Sequence, residues 1–290
     1  MDTKELLRRV RAIEIKTKGL TKEVFAGEYQ TAFKGKGMAF SEVKDYQFGD
    51  DVRNIDWNVT ARFDEPHIKV FEEERELSVM LIIDISGSSD FGTIYRSKKE
   101  LSIEIAAVLG FSAASNNDKV GAIFITDQVE KYIPPKKGRS HVLMILRHLI
   151  DLEPASKKSD LKEGIKFFRN VTKKRSIAFV ISDFISDYSF IDSLKIANKR
   201  HDMVALQVYD EAEVELPKLG LVEMFDSESG VKEWVNTNSA KVRKNYAQRF
   251  TDFREQLYTD FRKAGVDFAA LGTDGKYLKS LNALFLRRGR

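Results

Sequence analysis

Residues 78 to 92 of this chain read SVMLIIDISGSSDFG, and the predicted fold is built around this stretch. Val79 to Ile83 form an unbroken apolar run with β-branched members, which is typical of a strand buried on both faces. The run ends in Asp84, Ser86 and Ser88, spaced two residues apart. Because residues two apart in extended backbone point the same way, one carboxylate and two hydroxyls would converge at the strand's carboxyl end. Donors that supply only oxygen suit a hard divalent cation, Mg²⁺ above all.

The same residues also permit a simpler interpretation. A turn rich in Ser, Gly and Asp can lead into a helix, and Asp84 or Ser88 would then cap backbone N–H groups. The spacing and the strand together leave the metal site and the turn equally open. Later segments of the chain bear on the choice.

The composition is ordinary for a globular protein and excludes several kinds of site. The chain has 290 residues, enough for a sizeable core in one large or two smaller domains. Its 48 basic and 44 acidic residues give a formal charge of +4, an excess too small to require nucleic acid. No cysteine is present, which excludes disulfides, thiolate zinc sites and cysteine nucleophiles. The four histidines are scattered, which argues against a histidine-rich metal cluster.

The sequence also predicts where the protein resides. No apolar run is long enough to cross a bilayer, and the opening MDTKELLRRVRAIEIKTKG has no apolar core of signal-peptide length. We therefore expect a cytoplasmic protein without a transmembrane segment, in which any contact with a membrane is made through partners. Residues 4 to 18 predict a basic amphipathic helix, which could lie on an anionic membrane but is more typical of a helix with a solvated charged face.

Residues 46 to 62, YQFGDDVRNIDWNVTAR, are the most unusual stretch in composition. Acidic and basic residues interleave in it: Asp50, Asp51, Arg53, Asp56 and Arg62. With Trp57 and Phe48 among them, the pattern predicts a tight turn at Gly49 and a short helix braced by Asp–Arg pairs under an aromatic side chain. A docking or regulatory surface is the functional alternative. Residues 67 to 71 then alternate like a strand.

Buried strands alternate with helices through the rest of the chain. We predict strands at 119–125, 129–133, 175–181, 203–209 and 266–271, and helices at 97–116, 139–152, 160–169 and 240–264. Such alternation indicates right-handed crossovers and an α/β fold of Rossmann-type topology, with a mainly parallel central sheet flanked by helices. The strand from residue 129 is predicted to stop before Pro134, and a β-hairpin at 221–235 to extend the sheet edge. We expect an N-terminal extension, residues 1–76, packed on a main domain of residues 77–290.

Several motifs together resemble one protein family. They are GEYQTAFKGKGMAF at 27–40, YQFGDDVRNIDWNVTAR at 46–62, EEER at 72–75 and DISGSSDFG at 84–92. This set resembles the domain-of-unknown-function family numbered 58, whose members carry a von Willebrand factor A-type domain. The resemblance runs from about residue 27 to the C-terminus. It implies that fold, a metal-ion-dependent adhesion site and, since members often accompany MoxR-type AAA+ ATPases, a partner of that kind.

The resemblance adds two candidate ligands to the first three. The von Willebrand A-type pattern has a Thr in the loop just before the helix at 160, and this chain has Ser159 there, with Ser156 as a competing candidate. Asp183, in the ISDF that follows a predicted strand, matches the family's last acidic ligand. The structural alternative for Ser159 is a helix N-cap. Asp127, Asp210 and Asp274 also follow strands, but strand-to-helix loops favour Asp, and we assign these three to turns and caps.

We therefore expect a metal-dependent interaction module and not an enzyme. Ser86, Ser88 and Ser159 would coordinate Mg²⁺ directly, with Mn²⁺ or Ca²⁺ as alternatives, while Asp84 and Asp183 would act mainly through water. A remaining coordination position would accept a Glu or Asp from a partner, either a MoxR-type ATPase or its client.

Two other classes of function are less consistent with the residues. A phosphatase-like hydrolase with Asp84 as nucleophile is the main alternative, but that chemistry needs a second Asp two residues on, where this chain has Ser86. Nucleotide binding by a Rossmann-type fold would need G-x-G-x-x-G after the first strand, and the sequence there lacks it.

Overall fold

The computed structural model describes residues 39–63, 65–72, 77–93, 96–186, 188–225 and 230–288. The helix predicted at 4–18 and most of the motif at 27–40 lie outside the described residues. The described residues belong to two compact units, which are joined in sequence between Leu77 and Ser78. Packing of the N-terminal extension on the main domain stays a prediction.

The smaller unit is built on two antiparallel strands. β1 (Ala39–Asp45) pairs with β2 (His67–Glu72), and a 3-10 turn (Val52–Asn54) and α1 (Trp57–Phe63) lie between them in sequence. Gly49 has a φ of 111°, a conformation that glycine adopts without a steric penalty. Asp51 accepts hydrogen bonds from the Arg53 backbone and pairs with its guanidinium at 2.8 Å. The turn, the short helix and one Asp–Arg pair are therefore confirmed, but Phe48 and Trp57 are exposed and do not cover the pair, so that part of the prediction is wrong.

The larger unit alternates strands and helices. Its strands are β3 (Ser78–Asp84), β4 (Lys119–Ile125), β5 (Val129–Lys136), β6 (Ile177–Ser182), β7 (Asp202–Tyr209), β8 (Leu221–Phe225), β9 (Lys232–Asn236) and β10 (Asp267–Gly272). Its helices are α2 (Lys98–Ser115), α3 (Arg139–Asp151), α4 (Leu161–Val171), α5 (Phe190–Asn198), α6 (Glu211–Val214), α7 (Ala240–Ala264) and α8 (Tyr277–Arg288). A 3-10 helix, Gly87–Asp90, separates β3 from α2.

Six of these strands form one sheet in the order β10-β7-β6-β3-β4-β5. Every neighbouring pair is parallel except β4 and β5. This is a doubly wound order, in which the direction of winding reverses between β3 and β6. The predicted α/β fold with a mainly parallel sheet is confirmed.

Helices cover both faces of the sheet. On one face α4, α5 and α7 bury a core that includes Phe168, Leu194 and Phe261 against strand residues such as Val180. On the other face lie α2, α3 and α8, where Phe285 meets Phe179 edge to face with ring centroids 6.4 Å apart. Because both faces are covered, the central strands are apolar throughout and do not alternate.

Two expectations for the strands are wrong. β5 runs through Pro134 and Pro135 to Lys136 and does not stop before them. It is one of the two edge strands of the sheet, where a proline, which has no N–H, removes no hydrogen bond between central strands. The hairpin at 221–235 is present, with Val222 opposite Val235, but it forms a two-stranded sheet of its own and does not extend the main sheet.

Among the described residues, none of the helices combines the length and the apolar character that crossing a bilayer requires.

Candidate metal centre

The candidate centre lies where the sheet reverses its winding. Asp84 is the last residue of β3, and Asp183 directly follows β6. The two strands are parallel neighbours, with Ile83 opposite Ile181, so both carboxylates lie at the same edge of the sheet. In open α/β sheets of this kind, ligands bind at the point where the winding reverses, outside the carboxyl ends of the strands.

Asp84 is the centre of a hydrogen-bonded set of hydroxyls. Its side chain is only 5% exposed. Oδ1 accepts a hydrogen bond from the Ser86 backbone N–H at 2.9 Å. Oδ2 accepts from Ser159 Oγ at 2.8 Å and from Ser182 Oγ at 2.9 Å. Two crossover loops and two strand ends therefore converge on one carboxylate.

Ser86 and Ser88 complete the predicted motif beside Asp84. Their Oγ atoms lie 3.3 Å apart. Ser86 is buried and begins the 3-10 helix, which directs both hydroxyls to the same side. The Gly87 N–H donates to the Lys157 carbonyl at 2.8 Å, which joins this loop to the loop that carries Ser159.

Ser159 is the hydroxyl of its loop that reaches the centre. Asp160 caps α4, accepting hydrogen bonds from the N–H groups of Lys162 and Glu163. Ser159 is therefore free of the capping role and donates to Asp84. The competing candidate, Ser156, accepts a hydrogen bond from the Lys158 N–H within its own turn.

Asp183 lies beside this set but is held differently. Its Oδ2 pairs with Lys98 Nζ at 2.8 Å, and its Oδ1 accepts from the Ile185 N–H at 3.1 Å. Lys98 Nζ also donates to Glu213 Oε1 at 2.6 Å. The structure thus brings Asp84, Ser86, Ser88 and Ser159 into direct contact and adds Asp183 as a neighbour engaged by a lysine.

Three side chains of this centre were not predicted from the sequence: Ser182, Lys98 and Glu213. Ser182 stands next to Asp183 in the motif that was recognised, so its proximity was available from the sequence. Lys98 is in the first turn of α2, a helix buried on nearly all sides, where nothing in the pattern distinguishes it from its neighbour Lys99. Glu213 is on the four-residue α6, a helix with too few residues to show a helical period in the sequence.

Electrostatics at the centre favour a cation beside Asp84. Burial raises the pKa of Asp84, and the nearby Asp183 carboxylate raises it further, against the hydrogen bonds from Ser86 and Ser159. Burial by itself would lower the pKa of Lys98, but its two carboxylate partners outweigh that effect and raise it. A positive charge near Asp84 would relieve both its burial and the repulsion from Asp183.

The donors fit Mg²⁺ in kind and in spacing. Mg²⁺ binds oxygen at about 2.1 Å, so adjacent ligands of its octahedron lie about 3.0 Å apart. The Ser86 and Ser88 hydroxyls are 3.3 Å apart, close to that separation. Within the described part of the chain, no group of three or more His, Cys, Asp or Glu side chains could hold a metal. A cation here would therefore depend on hydroxyl oxygens.

Comparison with known proteins adds a family match. A model described as "Protein of unknown function DUF58" matches residues 42–256. Uncharacterized protein Rv1480 of Mycobacterium tuberculosis and Uncharacterized protein Mb1516 of Mycobacterium bovis are each 31% identical to this chain over 292 residues, which covers 100% of the chain and 92% of each relative.

Solved structures with a similar arrangement are distant in sequence. BatB from Bacteroides thetaiotaomicron, called a conserved hypothetical protein, has 16% identity and a TM-score of 0.49 over 73% of this chain and 98% of its own. The VWA domain of SpRpn10 has 10% identity and a TM-score of 0.39 over 73% of this chain and 95% of its own. The fold assignment rests on the strand order described above.

Proposed function

The chain belongs to the DUF58 family, and on that premise we propose that it is a metal-ion-dependent protein-interaction module of the cytoplasm. One observation carries the proposal: Asp84, Ser86, Ser88 and Ser159 converge at the point where the sheet reverses its winding. This is the place where open α/β sheets bind ligands, and the donors are all oxygen.

Each residue has a role in the proposed centre. The hydroxyls of Ser86, Ser88 and Ser159 would hold Mg²⁺, with Mn²⁺ or Ca²⁺ as substitutes, while Asp84 and Asp183 would act mainly through water. Because the ligands bound directly to the ion would be neutral hydroxyls and the carboxylates would lie one water away, Mg²⁺ would remain electrophilic toward a further carboxylate. The ligand would be a Glu or Asp of a partner protein.

The proposal is one of binding and not of catalysis. A phosphatase that used Asp84 as nucleophile would need a carboxyl group two residues later to act as acid and base, and Ser86 stands there. The hydrogen bonds from Ser159 and Ser182 further engage Oδ2 of Asp84. If the protein hydrolysed a phosphate ester and Asp84→Ala abolished that activity, the phosphatase would replace the binding module as the proposed function.

Family membership suggests the partner. Since members often accompany MoxR-type AAA+ ATPases, we infer that this chain works with such an ATPase, or with its client, in the assembly or maturation of other proteins. A purified MoxR-type ATPase from the same organism should be retained by the immobilised chain in Mg²⁺ and released by a chelator. Retention that is equal with and without the chelator would contradict a metal-bridged contact.

The metal itself is tested by thermal unfolding. Mg²⁺ at a hundred times its Kd should stabilise the native protein by about 2.7 kcal/mol, raising Tm by at least several degrees for a chain of this size. Asp84→Ala should remove that rise, because the hydroxyls lose the carboxylate that orients them. If Mg²⁺ did not change the Tm of the wild-type protein and calorimetry detected no heat of Mg²⁺ binding, the proposal would be refuted.

A further inference from the structure

Lys98 is a buried cation inside the candidate metal centre. It lies in the first turn of α2 and is 2% exposed. Its Nζ donates to Asp183 Oδ2 at 2.8 Å and to Glu213 Oε1 at 2.6 Å, and it lies 5.9 Å from the centre of the Phe91 ring. Burying an ammonium group costs free energy unless carboxylates compensate it. The two carboxylates around Lys98 provide that compensation, so the lysine is an integral part of the site.

The charged side chains that contact or neighbour one another at the candidate metal centre have a net negative charge. Asp84, Asp183 and Glu213 supply three carboxylates and Lys98 one ammonium, which leaves a formal charge of −2 when all are ionised. The other buried carboxylate at this edge, Asp210, accepts its hydrogen bonds from threonines, Thr93 and Thr273, and from a backbone N–H. A divalent cation at Asp84 would neutralise the linked group.

Lys98 also helps to fix the position of the Asp183 carboxylate. Both oxygens of Asp183 are engaged, Oδ2 by Lys98 and Oδ1 by the Ile185 N–H. The carboxylate is therefore held as a fixed charge near Asp84. Each oxygen keeps a second lone pair, so from this position Asp183 could still act on a cation through water.

We propose that Lys98 sets the charge of the cation that this centre accepts, by cancelling one of its three carboxylates. The inference rests on the proposed metal site and specifies it further: the centre selects a divalent ion. Without the ammonium the same group would carry −3 and favour a trivalent ion.

The wild-type protein and three variants separate the effect of charge from the effect of lost packing. Lys98→Met leaves −3, Glu213→Gln leaves −1, and the double variant returns to −2. Isothermal titration calorimetry should show Mg²⁺ binding at least tenfold tighter in Lys98→Met, severalfold weaker in Glu213→Gln and near wild type in the double variant, because opposite charges a few ångströms apart interact strongly at low effective dielectric. The ratio of Tb³⁺ to Mg²⁺ affinity should rise at least tenfold in Lys98→Met.

Lys99→Met is the matched control, since it removes the same charge from the next residue of α2 and should leave both affinities unchanged. Should Lys98→Met unfold, the comparison of Glu213→Gln with the double variant still decides the matter, because the double variant removes one more contact yet should bind Mg²⁺ better. Mg²⁺ affinity that falls with each removed contact would overturn the inference while leaving the metal site intact. A wild-type protein that binds no Mg²⁺ would instead refute the proposed function.

Discussion

Ser159 illustrates at the scale of one residue how a hydroxyl receives its role from its neighbours. A serine before a helix can cap the helix, but here Asp160 accepts the hydrogen bonds of the first turn of α4. The Ser159 hydroxyl instead donates to a carboxylate 75 residues away in sequence. The hydroxyl of Ser159, which a threonine would also supply, is the group that makes this contact.

A pair of substitutions at Ser159 tests this role. Ser159→Ala should lose the Mg²⁺-dependent rise in Tm and about 1 kcal/mol of metal-free stability, since one hydrogen bond to a buried carboxylate is gone. Ser159→Thr keeps the hydroxyl and should retain the rise. Ser156→Ala, in the same loop, serves as the control in the same thermal scan. If Ser156→Ala lost the Mg²⁺-dependent rise in Tm equally, the identification of Ser159 as the serine that serves the metal would be wrong.

At the scale of the element, α4 carries the loop of Ser159 close to β4. A side chain at Gly164 would place its Cβ 2.7 Å from Ile125 Cγ2, well inside van der Waals contact, and Ile125 is fully buried. Glycine in a helix costs about 1 kcal/mol relative to alanine. Its presence here lets α4 lie against the strand and sets the height of the loop above the sheet.

Gly164→Ala should therefore destabilise the protein although alanine favours helix. We expect a loss of about 1 to 3 kcal/mol from overpacking and a weaker affinity for Mg²⁺, because α4 and Ser159 shift together. Gly110→Ala is the matched control: its Cβ would lie 2.8 Å from Val142 between α2 and α3, so stability should fall and Mg²⁺ affinity should hold. Urea unfolding and calorimetry measure the two quantities, and a stabilised Gly164→Ala would disprove the close contact.

At the scale of the whole molecule, both faces of the sheet are buried, and polar groups enclosed by that packing couple folding to pH. His201 is 1% exposed and packs against Phe168 with the rings tilted and their centroids 4.6 Å apart. Burial, and then the positive charges of Arg200 and Arg169, lower the pKa of His201 to about 4. Its unfolded pKa is about 6.5, so between these values the unfolded chain binds the extra proton.

The free energy of unfolding should accordingly fall by about 1 to 3 kcal/mol as the pH drops from 6.5 to 4, with the His201 contribution intact above that window. His201→Phe cannot take up the proton and should reduce the slope of stability against pH. The part due to His141 and His148, whose pKa values burial also lowers, would remain. Chemical unfolding at several pH values checks this, and an unchanged slope in His201→Phe would exclude His201 as the cause.

The sequence alone determined the strands of the main sheet, the α/β class and the Asp84, Ser86 and Ser88 motif. These depend on local properties: runs of apolar residues, their period, and a spacing of two after a strand end. The sequence did not determine whether the hairpin joins the main sheet. β8 and β9 satisfy each other's backbone hydrogen bonds, and no local pattern of residues indicates a further strand partner.

Only the tertiary structure decided which side chains meet at the strand ends. Ser159 bonds Asp84 across 75 residues, Ser182 across 98, and Lys98 bonds Glu213 across 115. Contacts at such separations depend on strand order and on how each helix packs, and a side chain's own neighbours in sequence carry no record of either. For that reason the Asp84, Ser86 and Ser88 motif could be identified in advance, while the position of Lys98 beside Asp183 could not.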